Sequence, residues 1–148
     1  MNAPSVDIAT MIQNAGGDWD ESDWGYPDWL TGLGEIGAAI YVGREPSTPN
    51  NCVTIFDTVG GGNALTLDNE GDDYEYCAVQ VRIRNTDYRK GWFMAEAIKD
   101  TLHGRANYTW SGALYTVIRC SNGPVLLEWD NNNRVKFIIN FEIQRRST

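Results

Sequence analysis

His103 is the single histidine of the chain, and that limits the chemistry the chain could carry. Serine and cysteine nucleophile systems need an imidazole base beside the nucleophile. His103 instead falls in the last turn of a predicted helix, directly before Gly104. There an imidazole can bond free carbonyls and meet the negative end of the helix dipole, so it reads as a cap. Cys52, Cys77 and Cys120 are odd in number, widely separated and lack any CxxC pairing. They suggest neither a disulfide framework nor a zinc site, and each sits in an apolar, strand-like stretch where a buried reduced thiol is expected. Carboxylates crowd Asp18 to Asp23 and Asp68 to Asp73, which invites a calcium reading. An EF-hand loop needs oxygen ligands at positions 1, 3 and 5, glycine at 6 and glutamate at 12. Counting from Asp18 puts Asp23 at the glycine position and Trp29 at the glutamate position, and from Asp68 position 6 is Asp73. Solvated acidic loops fit better. The run Gly60-Gly61-Gly62 lacks the GK[ST] of a phosphate loop, so no metal, nucleotide or other cofactor is expected.

Two further groups could meet a partner. Arg82, Arg84, Arg89 and Lys90 cluster around the start of a predicted long helix, and Arg145 and Arg146 come just before the last residues. A sequence pI near 4.5 opposes strong nonspecific phosphate binding, although a local patch could still bind nucleic acid. Contact with another subunit and a plain solvated face are the other readings. Trp19, Trp24 and Trp29 lie among Asp18, Asp20, Glu21, Asp23 and Asp28 and share neither a helical face nor a strand alternation. Exposing all three would leave a sticky apolar patch, so they either fold back over the core or anchor a partner.

The elements that must position these residues follow from apolar spacing. Ser5 is placed to cap a short helix carrying Val6, Ile8, Ala9, Met11 and Ile12, stopped by Gly16 and Gly17. Ala38–Val42 and Cys52–Asp57 read as short buried strands. The triple glycine opens a loop that ends in the acids Asp68 to Glu75, giving a predicted mobile acidic loop at 59–75. Tyr76–Arg84 alternates, with Val79, Val81 and Ile83 facing a core. Thr86 or Asp87 then caps a helix to His103, and its interior Gly91 suggests close approach to the sheet. Leu114–Cys120, Val125–Trp129 and Val135–Gln144 read as three strands, the last long enough to lie centrally. The expected class is α+β: an antiparallel or mixed β-sheet with one long helix packed on a face and a short N-terminal helix.

At 148 residues, with 42% hydrophobic and 22% charged, the chain is long enough for one domain over 1–148 with a core that needs no staples. It holds 12 Lys+Arg and 20 Asp+Glu, a net charge of −8. The acids and bases are split: Met1 to Glu75 carries fourteen acids and one base, Arg44, and Tyr76 to Thr148 carries six acids and eleven bases. Such asymmetry fits a basic face, acidic and basic surfaces docking in a ring, or internal neutralisation if the halves mix in space. The first base is Arg44, which does not suit a secretory signal, and the longest uncharged apolar run, Ile36 to Gly43, is far short of the roughly 20 residues that span a bilayer. A soluble protein made in the cytoplasm is expected.

Gly43-Arg44 with Pro46 and Pro49, the stretch Asn51 to Thr58, Val79 to Arg84 with Asp87-Tyr88, Ile98 through Leu102-His103-Gly104, and Phe137, Asn140, Phe141 and Arg145 form an ordered series of short motifs. That series resembles the bacteriophage minor capsid or tail-terminator family. The acidic tryptophan segment at 16–31 is not part of that pattern. The resemblance implies a structural virion protein at the head-tail junction, not an enzyme, assembled in the host cytoplasm. It implies a six-membered ring on the tail tube that halts polymerisation and meets a head-side connector protein. Expected partners are itself, the tail tube protein and the connector, with DNA passing without specific binding and no membrane. Candidate subunit or partner contacts are Trp19, Trp24, Trp29, Arg82, Arg84, Arg89, Arg145 and Arg146, and candidate lumen acids are Asp68, Glu70, Asp72 and Asp73. Another head-tail joining or neck connector is the nearest alternative. A metal-assisted carboxylate hydrolase and a small DNA-binding module are the alternatives from other classes.

Overall fold

The computed structural model describes residues 1–15, 40–64 and 74–148. In chain order the elements are α1 (Pro4–Ala15), β1 (Ile40–Val42), β2 (Cys52–Ala64), β3 (Tyr74–Asn85), α2 (Tyr88–Leu102), β4 (Ala106–Trp110), β5 (Ala113–Trp129) and β6 (Val135–Ser147). The six strands form one mixed sheet in the order β1-β2-β3-β6-β5-β4. Only β1 and β2 run parallel; every other neighbouring pair is antiparallel. Helix α1 packs on β1 and β2, α2 packs on β3, β5 and β6, and the helices touch each other. This is the α+β arrangement expected from the pattern, with β6 central.

The core follows the period-2 alternation. Val79, Val81 and Ile83 of β3 and Val135, Phe137, Ile139, Phe141 and Ile143 of β6 are buried, as are Ile8, Ala9, Met11 and Ile12 of α1. Burying each large side chain of this kind contributes up to about 1.5–3 kcal/mol against an extended chain. The close approach expected at Gly91 is present: a Cβ there would lie 3.0 Å from Phe137 Cε2 and 3.2 Å from Asn85 Cβ. Trp92 meets Phe137 edge-on at 5.7 Å between ring centroids, on the same stretch of sheet.

Four local expectations change. Ser5 is not the N-cap. Pro4 occupies the first turn, where its fixed φ suits the helix and no N–H is missed, and Val6 and Asp7 N–H donate to Ala3 O. Ser5 N–H and Oγ–H both donate to Asp57 of β2, at 2.9 and 2.6 Å, so a carboxylate from the sheet serves the helix N-terminus. The triple glycine does not open a loop; β2 continues to Ala64 through a register shift between Thr58 and Gly62. Gly60 fits there because a Cβ would fall 2.4 Å from Tyr76 O. Residues 65–73 of the expected acidic loop lie outside the described residues. Leu114–Cys120 and Val125–Trp129 are one continuous strand, β5, whose register shifts between Tyr115 and Glu128 absorb Ser121 to Pro124. Finally, β4 was missed; it joins β5 through Ser111 (φ 48°) and Gly112 (φ 78°), the paired positive φ of a tight hairpin turn.

His103 ends α2 as expected, with its N–H donating to Lys99 O. Its imidazole does something else: Nδ1 accepts the N–H of Cys120 at 2.9 Å and ties the helix end to β5. At the other end Asp87 is the N-cap, its carboxylate accepting Lys90 N–H at 3.1 Å.

Candidate assembly surfaces

The expected contact arginines divide by where the strands aim them. Arg84, 3% exposed, is committed inside the subunit. Its guanidinium donates to Pro46 O and Pro49 O at 2.6 Å each, to Asn50 O at 3.1 Å and to Glu45 Oε1 at 3.0 Å. It thereby fixes the segment joining β1 to β2. Arg134 reinforces that segment by donating to Ser47 O at 2.6 Å, while its Nε meets Asp130 at 2.7 Å in the β5–β6 turn. Burial works against the Asp130 charge, but hydrogen bonds from Arg134 and Asn132 outweigh it and hold the carboxyl below its usual range.

Arg145, also 3% exposed, sits between the sheet and the N-terminal helix. It donates to Asn2 O at 2.9 Å, Tyr115 Oη at 3.2 Å and Glu75 at 3.0 Å, and lies 3.5 Å from the fully buried carboxylate of Asp7. Tyr115 in turn donates to Asp7. Burial opposes the Arg145 charge, yet the bonds to Tyr115 and Glu75 prevail and raise its hold on the proton. Burial also pushes the Tyr115 hydroxyl well above its ordinary range, with Asp7 adding to the shift. Placement therefore gives Arg84 and Arg145 internal roles in place of the expected outward ones.

The remaining arginines stay nearer solvent. Arg82 donates to Gln80 at 2.9 Å and covers the Phe56 ring at 5.0 Å, Arg146 lies 6.0 Å from the Tyr74 ring, and Arg89 is exposed. Of the expected contact arginines, Arg82, Arg89 and Arg146 thus keep side chains toward solvent. Trp19, Trp24, Trp29, Asp68, Glu70, Asp72 and Asp73 lie outside the described residues. Among the described acids of the first 75 residues, Asp7, Glu45 and Glu75 each pair with an arginine or lysine from the later half. These three acids are neutralised within the subunit, while Asp57 accepts from Ser5.

Among the described residues no group of three His, Cys, Asp or Glu is placed to hold a metal, and no helix is long and apolar enough to cross a membrane. Burial raises the Cys52 thiol and takes Cys77 up to about 11 despite Arg145 nearby, which suppresses thiolate chemistry at neutral pH.

Two surface features were not read from the sequence. Val125, Leu126, Leu127 and Trp129 at the end of β5 are exposed, and the Trp129 ring stacks on exposed Tyr88 at 6.4 Å. The signal was present: three consecutive apolar residues in a strand cannot all face one core. The second feature is an open groove of about 540 Å³ lined by Val59, Gly60, Gly61, Tyr76, Cys77, Ala78, Val117, Ile143 and Gln144 together with the Arg119–Glu142 ion pair. The register shift of β2 between Thr58 and Gly62 lies along it.

A family model described as bacteriophage tail terminator protein matches residues 30–146. The chain belongs to the bacteriophage tail terminator family. The match begins just past Trp29, so the acidic tryptophan segment stays almost wholly outside the family pattern. In solved structures, a chain from "Virion of native gene transfer agent (GTA) particle" superposes with a TM-score of 0.55 at 12% identity, covering 95% of this chain and 98% of that one. At that identity the likeness speaks for the fold. No curated protein matches the sequence. Membership makes the chain a structural component of a phage tail.

Proposed function

We propose that the chain caps the tail tube of a long-tailed bacteriophage as a ring, stops tube polymerisation and forms the tail side of the head-tail joint. The family match over residues 30–146 carries this reading. The described surface agrees with an assembly role: Arg84 and Arg145, two of the candidate arginines, are taken up inside the subunit, and large apolar side chains remain exposed. A closed ring uses heterologous contacts, in which two different surfaces of each subunit meet. The partners are further copies of the chain, the tail tube protein and a head-side connector, and DNA passes through the opening without specific binding.

Light scattering and negative-stain imaging, with and without tail-tube protein, test the reading. The expected result is a ring, six-membered on this account, in solution or on tube ends. A strict monomer that also fails to bind tube ends would sink it. Co-purification with a portal-side connector and not with the tube would move the chain to the neck.

A further inference from the structure

We infer that the acidic tryptophan segment, Asp18 to Trp29, docks on its own subunit over an aromatic and basic surface at the N-terminal end of α2. The inference is independent of the ring reading and concerns a segment that the family pattern leaves out. Register defines the surface. Leu126 pairs with Phe137 and Trp129 with Val135, whereas Val125 pairs with Ile138 and Glu128 with Lys136. Paired residues of neighbouring strands share a face. Phe137 and Val135 are buried on the helix side, so Leu126 and Trp129 look that way, and Val125 and Glu128 look to the opposite side.

Around Phe137 the helix completes an aromatic cluster. Tyr88 meets the Phe137 ring edge-on at 5.2 Å, Trp92 meets it at 5.7 Å, and Tyr88 stacks on Trp129 at 6.4 Å. Tyr88 and Phe93, 45% and 39% exposed, line a shallow hollow of about 280 Å³ together with Arg89 and Trp92. A contiguous exposed apolar surface of this kind marks an interaction site. Its open charges are positive. Arg89 and Lys90 are exposed, and neither forms an ion pair among the described residues. Of the carboxylates on the same stretch of helix, Asp87 accepts Lys90 N–H as the cap and Glu96 pairs with Lys99 at 3.4 Å.

Charge, position and length name the occupant. Asp18 to Trp29 holds five acids, no base and four aromatic residues, the chemical complement of this surface. An indole entering the hollow would gain ring stacking and a cation–π contact with Arg89. Position follows from the sheet: Ile40 pairs with Val53, Val53 with Ile83 and Ile83 with Phe137. The first residue of β1 and the centre of the cluster therefore lie in one row, three strand spacings or about 14 Å apart. β1 runs parallel to β2, so it begins at the end of the sheet where β3 leads into α2 and β5 finishes at Trp129. Trp29 precedes Ile40 by eleven positions, a reach of up to about 36 Å. A tether of this length gives an effective concentration on the order of millimolar, which favours the same chain over a second copy.

Zero-length carbodiimide cross-linking of the full chain, read by mass spectrometry, tests this, because the reagent joins a lysine amine to a carboxylate in direct contact. Lys90, Lys99 and Lys136 are the only lysines, and Lys99 lies nine residues further along α2. The expected result is amide links from Lys90 to acids among Asp18, Asp20, Glu21, Asp23 and Asp28, well above those from Lys99. When isotopically light and heavy chains are mixed, each link should join residues of one isotope. Links between light and heavy chains would place the segment on a second copy and overturn the inference. Equal links to Lys90 and Lys99 would show a segment without a fixed dock, and absent links at Lys90 would leave the surface to another partner; both overturn it. Phe93→Ser removes an exposed ring from the surface, and Trp24→Ser with Trp29→Ser removes indoles from the segment. Each should lower the Lys90 links several-fold with far-UV circular dichroism unchanged, and undiminished links in both would likewise refute the docking. Sedimentation of the wild-type chain reads ring formation separately, so failure here leaves the terminator reading in place.

Discussion

Replacing Arg145 by methionine separates an internal role from an outward one. The guanidinium is almost fully buried and is held by Asn2 O, Tyr115 Oη and Glu75. Its loss leaves the Asp7 carboxylate, fully buried, without a cation and with only the Tyr115 hydroxyl and the Asn2 amide as side-chain donors. Removing one partner of a buried pair costs about 3–5 kcal/mol, because the other charge stays in a poor solvent. Methionine keeps much of the stem volume, so the loss is mainly electrostatic. At about 2–4 °C per kcal/mol for a chain of this size, the thermal midpoint should drop by roughly 6–20 °C. Urea unfolding followed by circular dichroism measures the change, and the paired variant Arg145→Met with Asp7→Leu should recover much of it, because no orphaned carboxylate remains. A surface contact residue would instead shift stability by about 0.5 kcal/mol or less. A loss under about 1 kcal/mol for Arg145→Met would refute the internal role.

Three further outcomes follow from the same geometry. Asp87→Ala removes the acceptor for Lys90 N–H and should cost about 1 kcal/mol in chemical denaturation without altering assembly. Gly91→Val would drive atoms into Phe137 and Asn85, already 3.0 and 3.2 Å from a modest Cβ, and should destabilise by at least about 2 kcal/mol, while retention of full stability would deny the close helix-to-sheet approach. Because burial takes Cys77 from 9.0 to about 11, its thiolate fraction at pH 8 is about a hundredfold lower than that of an ordinary thiol, and site-resolved alkylation should show it correspondingly slow.

Period and caps were legible where one principle acted alone. The alternation in Val79 to Ile83 and Val135 to Ile143 named its core face, and Asp87, Gly91 and Gly104 marked the long helix and its contact with the sheet. Reading failed where tertiary context overrode local signals. Gly60 and Gly61 are poor strand formers, yet β3 holds them in β2 because it leaves no room for side chains. Ser5 has the chemistry of an N-cap, but Asp57, fifty-two residues away, reaches its N–H and hydroxyl. Arg84 and Arg145 looked like surface charge because their acceptors are backbone carbonyls and distant carboxylates that no local pattern reveals. Val125–Trp129 read as a strand, but a short apolar run does not say which of its faces finds a cover.

The central claim is that this chain ends a tail tube. Negative-stain imaging of tubes polymerised with the purified chain, with tube length recorded against its concentration, tests it most directly. The account predicts a ring on one end of each tube and no further growth from that end when fresh tube protein is added. Bare ends and undiminished elongation at saturating chain would contradict it.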